Sequence, residues 1–164
     1  MTTYLGIDPG KSGAIISMTY TDTLKISVFT LKNTPEAIVN WLSQFDNNST
    51  VCTIERVHAM PLWWGKSGDT LQNTDGKPKQ GITSTFKFGE SYGILKGILI
   101  ALNIKRHEVL SRVWQKQMNC LSRGDKNITK QRAQELWPTC KITHAYADAL
   151  LITEYGRLNI WNKT

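Results

Sequence analysis

Short apolar runs alternate with breaker-rich turns over the first thirty residues. Residues 4–8, 14–20 and 24–31 are β-branched and apolar, separated by Pro9-Gly10-Lys11-Ser12-Gly13 and Thr21-Asp22-Thr23. Runs of this length joined by tight turns predict three antiparallel strands. Thr34 followed by Pro35 predicts a helix start, because a hydroxyl can cap free N–H groups and proline lacks one. Ile38, Trp41, Leu42 and Phe45 then recur at helical spacing, and Asp46-Asn47-Asn48-Ser49 ends the pattern. Residues 50–55 read as a buried strand finishing on Glu55. Periodicity is lost from about 56 to 84, a loop long enough to be functional or disordered rather than a simple connection. A helical pattern returns over 85–103, with Gly89, Gly93 and Gly97 every fourth residue along one ridge. Residues 108–114 read as a fifth strand. Thr129 reads as the cap of a helix ending at Trp137-Pro138, and 144–157 as the last helix. The order β-β-β-α-β-α-β-α-α predicts an α/β domain with a mixed five-stranded sheet flanked by helices, over residues 1–164 as one domain.

Charge sharpens this picture. The chain has 164 residues and a formal net charge of +7, with a pI near 9.4, which points to a polyanionic partner, nucleic acid ahead of a membrane surface. Between residues 105 and 132 there are eight cations against Glu108 and Asp125, so nearly all the excess sits in one segment. The longest apolar stretch, 98–102, is far short of the roughly 18 residues a membrane span needs. The opening MTTYLGID lacks the basic and apolar regions of a signal peptide. Cys52, Cys120 and Cys140 are odd in number and include no C-x-x-C pair, so reduced thiols are expected. These features predict a soluble, cytoplasmic protein. Cys140 and His144 have zinc-compatible spacing, but two ligands do not make a zinc site.

Three carboxylates carry the candidate chemistry. Asp8 ends the first strand, Glu55 ends the fourth, and Asp148 lies early in the last helix; neighbouring strand ends and an abutting helix can gather them. Hard divalent cations take such oxygen ligands, and phosphodiester hydrolysis uses paired metals. The plain alternatives are a turn residue at Asp8, a surface strand end at Glu55 and a dipole-favoured helix carboxylate at Asp148. In the long loop, Trp63 and Trp64 are interleaved with Lys66, Lys77 and Lys79, a combination suited to stacking on exposed bases; the alternative is a lid over the core. Gly10-Lys11-Ser12 and Gly65-Lys66-Ser67 echo a phosphate loop, yet its earlier glycine is replaced by Leu5 and Met60. An actin-like or sugar-kinase ATPase would need two lobes, and this chain is too short for both.

Leu5-Gly6-Ile7-Asp8-Pro9-Gly10 with Gly13, Ile54-Glu55, and Ala147-Asp148-Ala149-Leu150 together resemble the RuvC family of Holliday-junction resolvases. Residues 84–93 (STFKFGESYG) resemble its junction-contacting loop and following helix, and 111–117 resemble its segment leading to an active-site lysine. The ending ADALLITEYGR is similar to the phage-encoded branch. The resemblance implies an RNase H-like fold, a homodimer, and paired nicks in four-way DNA using Mg²⁺ or Mn²⁺, two ions per site. It implies Asp8, Glu55 and Asp148 as metal ligands and Lys116 as a charge stabiliser at the scissile phosphate; the plain alternative for Lys116 is a solvated cation. Phe86 and Phe88, with Lys87 between them, fall where the family wedges side chains into the opened junction, the alternative being core packing at a helix start. Arg112, Lys126 and Lys130 belong to the basic segment expected to contact DNA. The chain departs from the pattern at Ala145, three residues before Asp148, where the family usually has a fourth ligand. Either His144, one step earlier and four residues before Asp148, substitutes, or a ligand is missing here, as in an engineered inactive variant. The latter leaves a junction-binding protein with a broken metal site as the alternative function. A less selective fork or flap nuclease on the same fold is a third.

Overall fold

The computed structural model describes residues 1–10, 12–57, 82–122 and 124–162. Five strands form one sheet in the order β3-β2-β1-β4-β5. Strands β1 (Thr3–Ile7), β2 (Ala14–Tyr20) and β3 (Leu24–Thr30) make the expected antiparallel meander. Strand β4 (Thr50–Glu55) lies parallel to β1 and pairs on its other side with β5 (Lys105–Val109). Helix α1 (Pro35–Leu42) begins as its sequence dictates, with Thr34 Oγ1 accepting from the Ala37 N–H at 3.3 Å. Helix α2 spans Ile82–Ala101, α3 Ser111–Gln117, α4 Lys126–Leu136 and α5 His144–Gly156. None is long and apolar enough to cross a membrane.

Helices cover both faces of the sheet. One core contains Leu5, Ile7, Ile54, Ile38, Leu42, Leu95 and Leu99, which joins β1 and β4 to α1 and α2. The other contains Ile16, Met18, Val109, Trp114, Ala133 and the apolar residues of α5, which joins the opposite face to α3, α4 and α5. Helix α5 is buried on nearly all sides from Ala149 to Gly156, as a helix between a sheet and an outer helical layer must be. Gly6 permits the close crossing: a Cβ there would stand 2.1 Å from Thr153 Oγ1 and 2.6 Å from the Ala149 carbonyl oxygen. At the far end of α5, Glu154 receives Arg157 through two bonds of 2.8 and 2.6 Å and the Tyr20 hydroxyl at 3.0 Å, tying the helix to β2.

Three sequence expectations are corrected. The fifth strand is not 108–114 but Lys105–Val109, and the chain is helical from Ser111. Trp114 and Met118 are buried four residues apart on one helix face, a spacing that a short apolar run hides. Helix α4 starts a turn before Thr129, capped by Asp125, whose side chain accepts from the Asn127 N–H at 2.9 Å. Thr129 is buried within that helix, and its hydroxyl donates to the Lys126 carbonyl. The last α-helix stops at Gly156 and continues as a π-helical turn over Arg157–Trp161.

Candidate active site

Parallel pairing of β1 with β4 sets Ile7 opposite Ile54. Both isoleucines point into the α1–α2 core, and strand alternation turns the next residues, Asp8 and Glu55, toward the α5 face. Asp148 precedes Ala149, the residue whose carbonyl lies over Gly6. Two strand ends and one helix thereby bring carboxylates separated by up to 140 positions in sequence close enough for Glu55 and Asp148 to act on Asp8 by charge.

Their electrostatics report the crowding. Asp8 is pushed from its ordinary 3.8 up to about 6, chiefly by burial, with the negative charges of Asp148 and Glu55 adding to the effect. The Gly10 N–H, which donates to Asp8 Oδ1 at 3.0 Å, and the charge of Lys126 work in the other direction. Asp8 is therefore both a turn residue and a member of the cluster. Burial also raises Glu55, opposed by hydrogen bonds from Ser111 and Trp114. Ser111 Oγ donates to Oε1 at 2.6 Å and Trp114 Nε1 to Oε2 at 2.7 Å. Both carboxylate oxygens are thus held by α3, which fixes the orientation of a group the plain reading left at a surface strand end. Asp148 Oδ1 is buried with no hydrogen-bond partner, a costly state for a carboxylate oxygen unless a cation answers it.

As the side chains stand, no three His, Cys, Asp or Glu groups among the described residues surround one point closely enough to chelate an ion. Both Glu55 oxygens are engaged by α3. The donor set still suits a hard divalent cation, being all carboxylate, with one orphaned buried oxygen and one carboxyl whose pKa burial and acidic neighbours raise to about 6. Ala145 lies a helical turn before Asp148 and adds no donor, while His144 is exposed at the first residue of α5.

The remaining candidates divide by position. Lys116 is exposed in the last turn of α3; among the described residues the cation whose charge reaches Asp8 is Lys126, at the start of α4. Arg112 is exposed on α3, and Lys130 is half-buried on α4. Phe86 is 72% exposed, so it is not core packing. Lys87 and Phe88 line a cleft of about 640 Å³ with Pro9 and Gly10, which brings the start of α2 beside the turn that carries Asp8. Trp63, Trp64, Lys66, Lys77 and Lys79 lie outside the described residues. Sequence reasoning missed the roles of Ser111 and Trp114 because it read their segment as strand; the helical spacing of Trp114 and Met118 was the available signal.

No family model matches the chain, and no curated protein matches it in sequence. Solved structures do. Thermus thermophilus RuvC in complex with a Holliday junction substrate superposes with a TM-score of 0.62 at 11% identity, covering 95% of this chain and 93% of that one. A second Thermus thermophilus RuvC structure gives 0.56 at 12% identity over the same shares. The mixed five-stranded sheet flanked by helices is therefore the RNase H-like fold of RuvC.

Proposed function

We propose that this chain is a structure-selective endodeoxyribonuclease that binds four-way and related branched DNA as a homodimer and hydrolyses phosphodiesters at the Asp8–Glu55–Asp148 cluster. The observation that carries the reading is the cluster itself, with the buried, unpartnered oxygen of Asp148 beside a carboxyl at Asp8 that burial and its acidic neighbours keep protonated to about pH 6. The likeness to a RuvC solved with a Holliday junction supports the choice of substrate. Mg²⁺ or Mn²⁺, two ions per site, would be held by these carboxylates and would supply the positive charge that stabilises attacking and leaving oxygens. Ser111 and Trp114 orient Glu55 for that work, as outer partners of metal-binding carboxylates do. Lys126 is better placed than Lys116 to add positive charge at the cluster. Exposed Phe86 is available to wedge between bases, which costs a few kcal/mol of unstacking and stabilises a splayed junction. A dimer through α2 accounts for Gly89, Gly93 and Gly97, where an added Cβ would meet no other element among the described residues within 4 Å, and for the exposure of Ile94 and Ile100 beside them.

The alanine at position 145 favours a second reading, a junction-binding protein that cuts poorly. The test is a fluorescent four-way junction with Mg²⁺, beside linear duplex, using the unmodified chain, Ala145→Asp and His144→Ala. If Ala145 is a missing ligand, Ala145→Asp raises cutting by at least about a hundredfold, the scale expected when an outer or inner metal ligand is restored, and leaves junction affinity nearly unchanged; His144→Ala then matters little. If His144 is the fourth ligand, the unmodified chain cuts briskly, prefers Mn²⁺, and loses cutting in His144→Ala. Absence of junction-selective binding in all three proteins overturns both readings.

A further inference from the structure

On the face of the sheet opposite the carboxylates, Glu108 of β5 holds two partners from α2. The Tyr92 hydroxyl donates to Oε2 at 2.8 Å and Lys96 Nζ pairs with Oε1 at 2.7 Å. The Lys96 ammonium also stands 5.2 Å from the centre of the Tyr92 ring. Glu108 stands opposite Ile54 in the parallel β4–β5 ladder, one residue before Glu55, which pairs with Val109. Just beyond Glu55, the N–H of Arg56 donates to the Val109 carbonyl at 2.7 Å, which extends this strand pairing. One hydroxyl therefore ties the helix that begins at Ile82 to the strand paired with the one that ends in Glu55. Burial and the Glu108 carboxylate raise Tyr92 to about 12, so the hydroxyl remains protonated and keeps its donor role.

The same helix presents Phe86 and Lys87 near its start and the open glycine ridge along its length. A load taken up there by DNA or a partner subunit has a directional route to β5, and through its pairing to the Glu55 strand, in the Tyr92 and Lys96 contacts with Glu108, beside apolar packing that is non-directional.

We infer that Tyr92 and Glu108 are positioning residues: a hydrogen-bonded latch, resting on the function proposed above, that makes the placement of Glu55 depend on engagement of α2. Neither residue touches the carboxylate cluster, and neither is expected to contribute to binding DNA. Lys96 steadies the Glu108 carboxylate, and the Tyr92 ring keeps its packing in a phenylalanine variant, so Tyr92→Phe removes the hydroxyl's bond to Glu108 and little else.

Two measurements test the latch, and the first needs no DNA. By amide hydrogen exchange, Tyr92→Phe is expected to quicken exchange over residues 50–57 by about tenfold, a local opening, with the exchange of α5 and the melting temperature nearly unchanged. The second uses junction DNA with unmodified chain and variant, both also in the Ala145→Asp background so that cutting is measurable. Tyr92→Phe is expected to lower the single-turnover cutting rate by about tenfold and to raise the Mg²⁺ concentration for half-maximal rate, while junction affinity in Ca²⁺ stays within about twofold. Glu108→Gln, which still accepts from the hydroxyl, is expected to retain most of the rate. Unchanged exchange over 50–57 overturns the latch whatever the protein binds. Quickened exchange with an undiminished cutting rate overturns its role in positioning Glu55. Absence of cutting in every background, with quickened exchange, overturns the functional reading and with it the positioning role, and leaves the hydrogen-bonded bridge standing.

Discussion

Asp8 is the residue at which local structure and chemistry meet. Its side chain closes the Pro9-Gly10 turn through the Gly10 N–H, yet burial and two acidic neighbours raise its pKa to about 6. The direction has a consequence for stability. Between pH of about 4 and 6 the folded chain holds a proton at Asp8 that the unfolded chain has released, so stability falls as pH rises through this window, by up to about 3 kcal/mol for a shift of this size. Glu55 is shifted in the same direction and adds to the slope. Denaturant midpoints in EDTA are expected to fall across that window, and Asp8→Asn is expected to flatten the fall. A midpoint that climbs with pH in the unmodified chain but not in Asp8→Asn would mean that Asp8 is stabilised as the anion and that the cluster is not crowded. At this scale the positions of Asp8 and Glu55 at strand ends and of Asp148 early in the last helix were legible, but a carboxylate is ordinary at each, so local pattern alone did not single them out and the resemblance did. The sequence was silent about Ser111, Trp114, Tyr92 and Glu108, whose roles are contacts between elements far apart in the chain; no local pattern marks a hydroxyl that will meet a carboxylate 56 residues away.

At the scale of elements, what was legible was whatever one face of the core dictates. Strands β1, β2 and β4 carry apolar runs because both of their faces are covered, and α1 announces itself through Thr34 and Pro35. Strand β5 was hidden because it is an edge strand made of Lys105, Arg106, His107 and Glu108 before Val109, charged as an edge must be to discourage further pairing. Helix α4 was misplaced by a turn because its polar first residues look like loop. The glycine ridge of α2 was legible as a pattern, but among the described residues nothing packs on it: a Cβ added at Gly89, Gly93 or Gly97 meets none of them within 4 Å. That gives a test with opposite signs for two states. In a monomer, Gly93→Ala adds a methyl group that meets nothing and improves helix propensity, stabilising the fold by up to about 1 kcal/mol. In a dimer closed through this ridge, the same methyl separates two backbones. Light scattering at micromolar concentration is expected to show a dimer for the unmodified chain and a shift toward monomer for Gly93→Ala, together with a slightly more stable monomer. An unmodified chain that is monomeric with and without junction DNA removes α2 as an interface.

At the scale of the whole molecule, the question is where the +7 excess acts. Of the eight cations between 105 and 132, Arg132 is spent internally: its Nε donates to the Met118 carbonyl at 2.9 Å and Nη1 meets Glu135 at 3.1 Å. Arg112, Lys116 and Lys126 remain exposed on α3 and at the start of α4, with Lys130 half-buried one turn further on, and these two elements also hold Glu55 and influence Asp8. A phosphate backbone drawn to this face is therefore drawn to the carboxylates, and the same cations offset the repulsion between DNA and an acidic cluster. Binding of this kind releases condensed counterions, so the logarithm of the association constant falls with the logarithm of salt concentration by about 0.9 for each phosphate engaged. Four phosphates met by these four side chains give a slope of about −3.6. Fluorescence anisotropy of a labelled four-way junction in Ca²⁺ between about 50 and 200 mM salt measures it. Lys126→Gln is expected to reduce the slope by about 0.9 and to weaken junction and duplex alike, since a phosphate contact reads no structure. Phe86→Ala, which leaves charge untouched, is expected to preserve the slope and weaken the junction more than the duplex, because only a splayed junction offers bases to an exposed ring. A slope near zero would mean that the basic segment does not face DNA, and equal losses on both substrates in Phe86→Ala would mean that the chain selects branched DNA by some other surface.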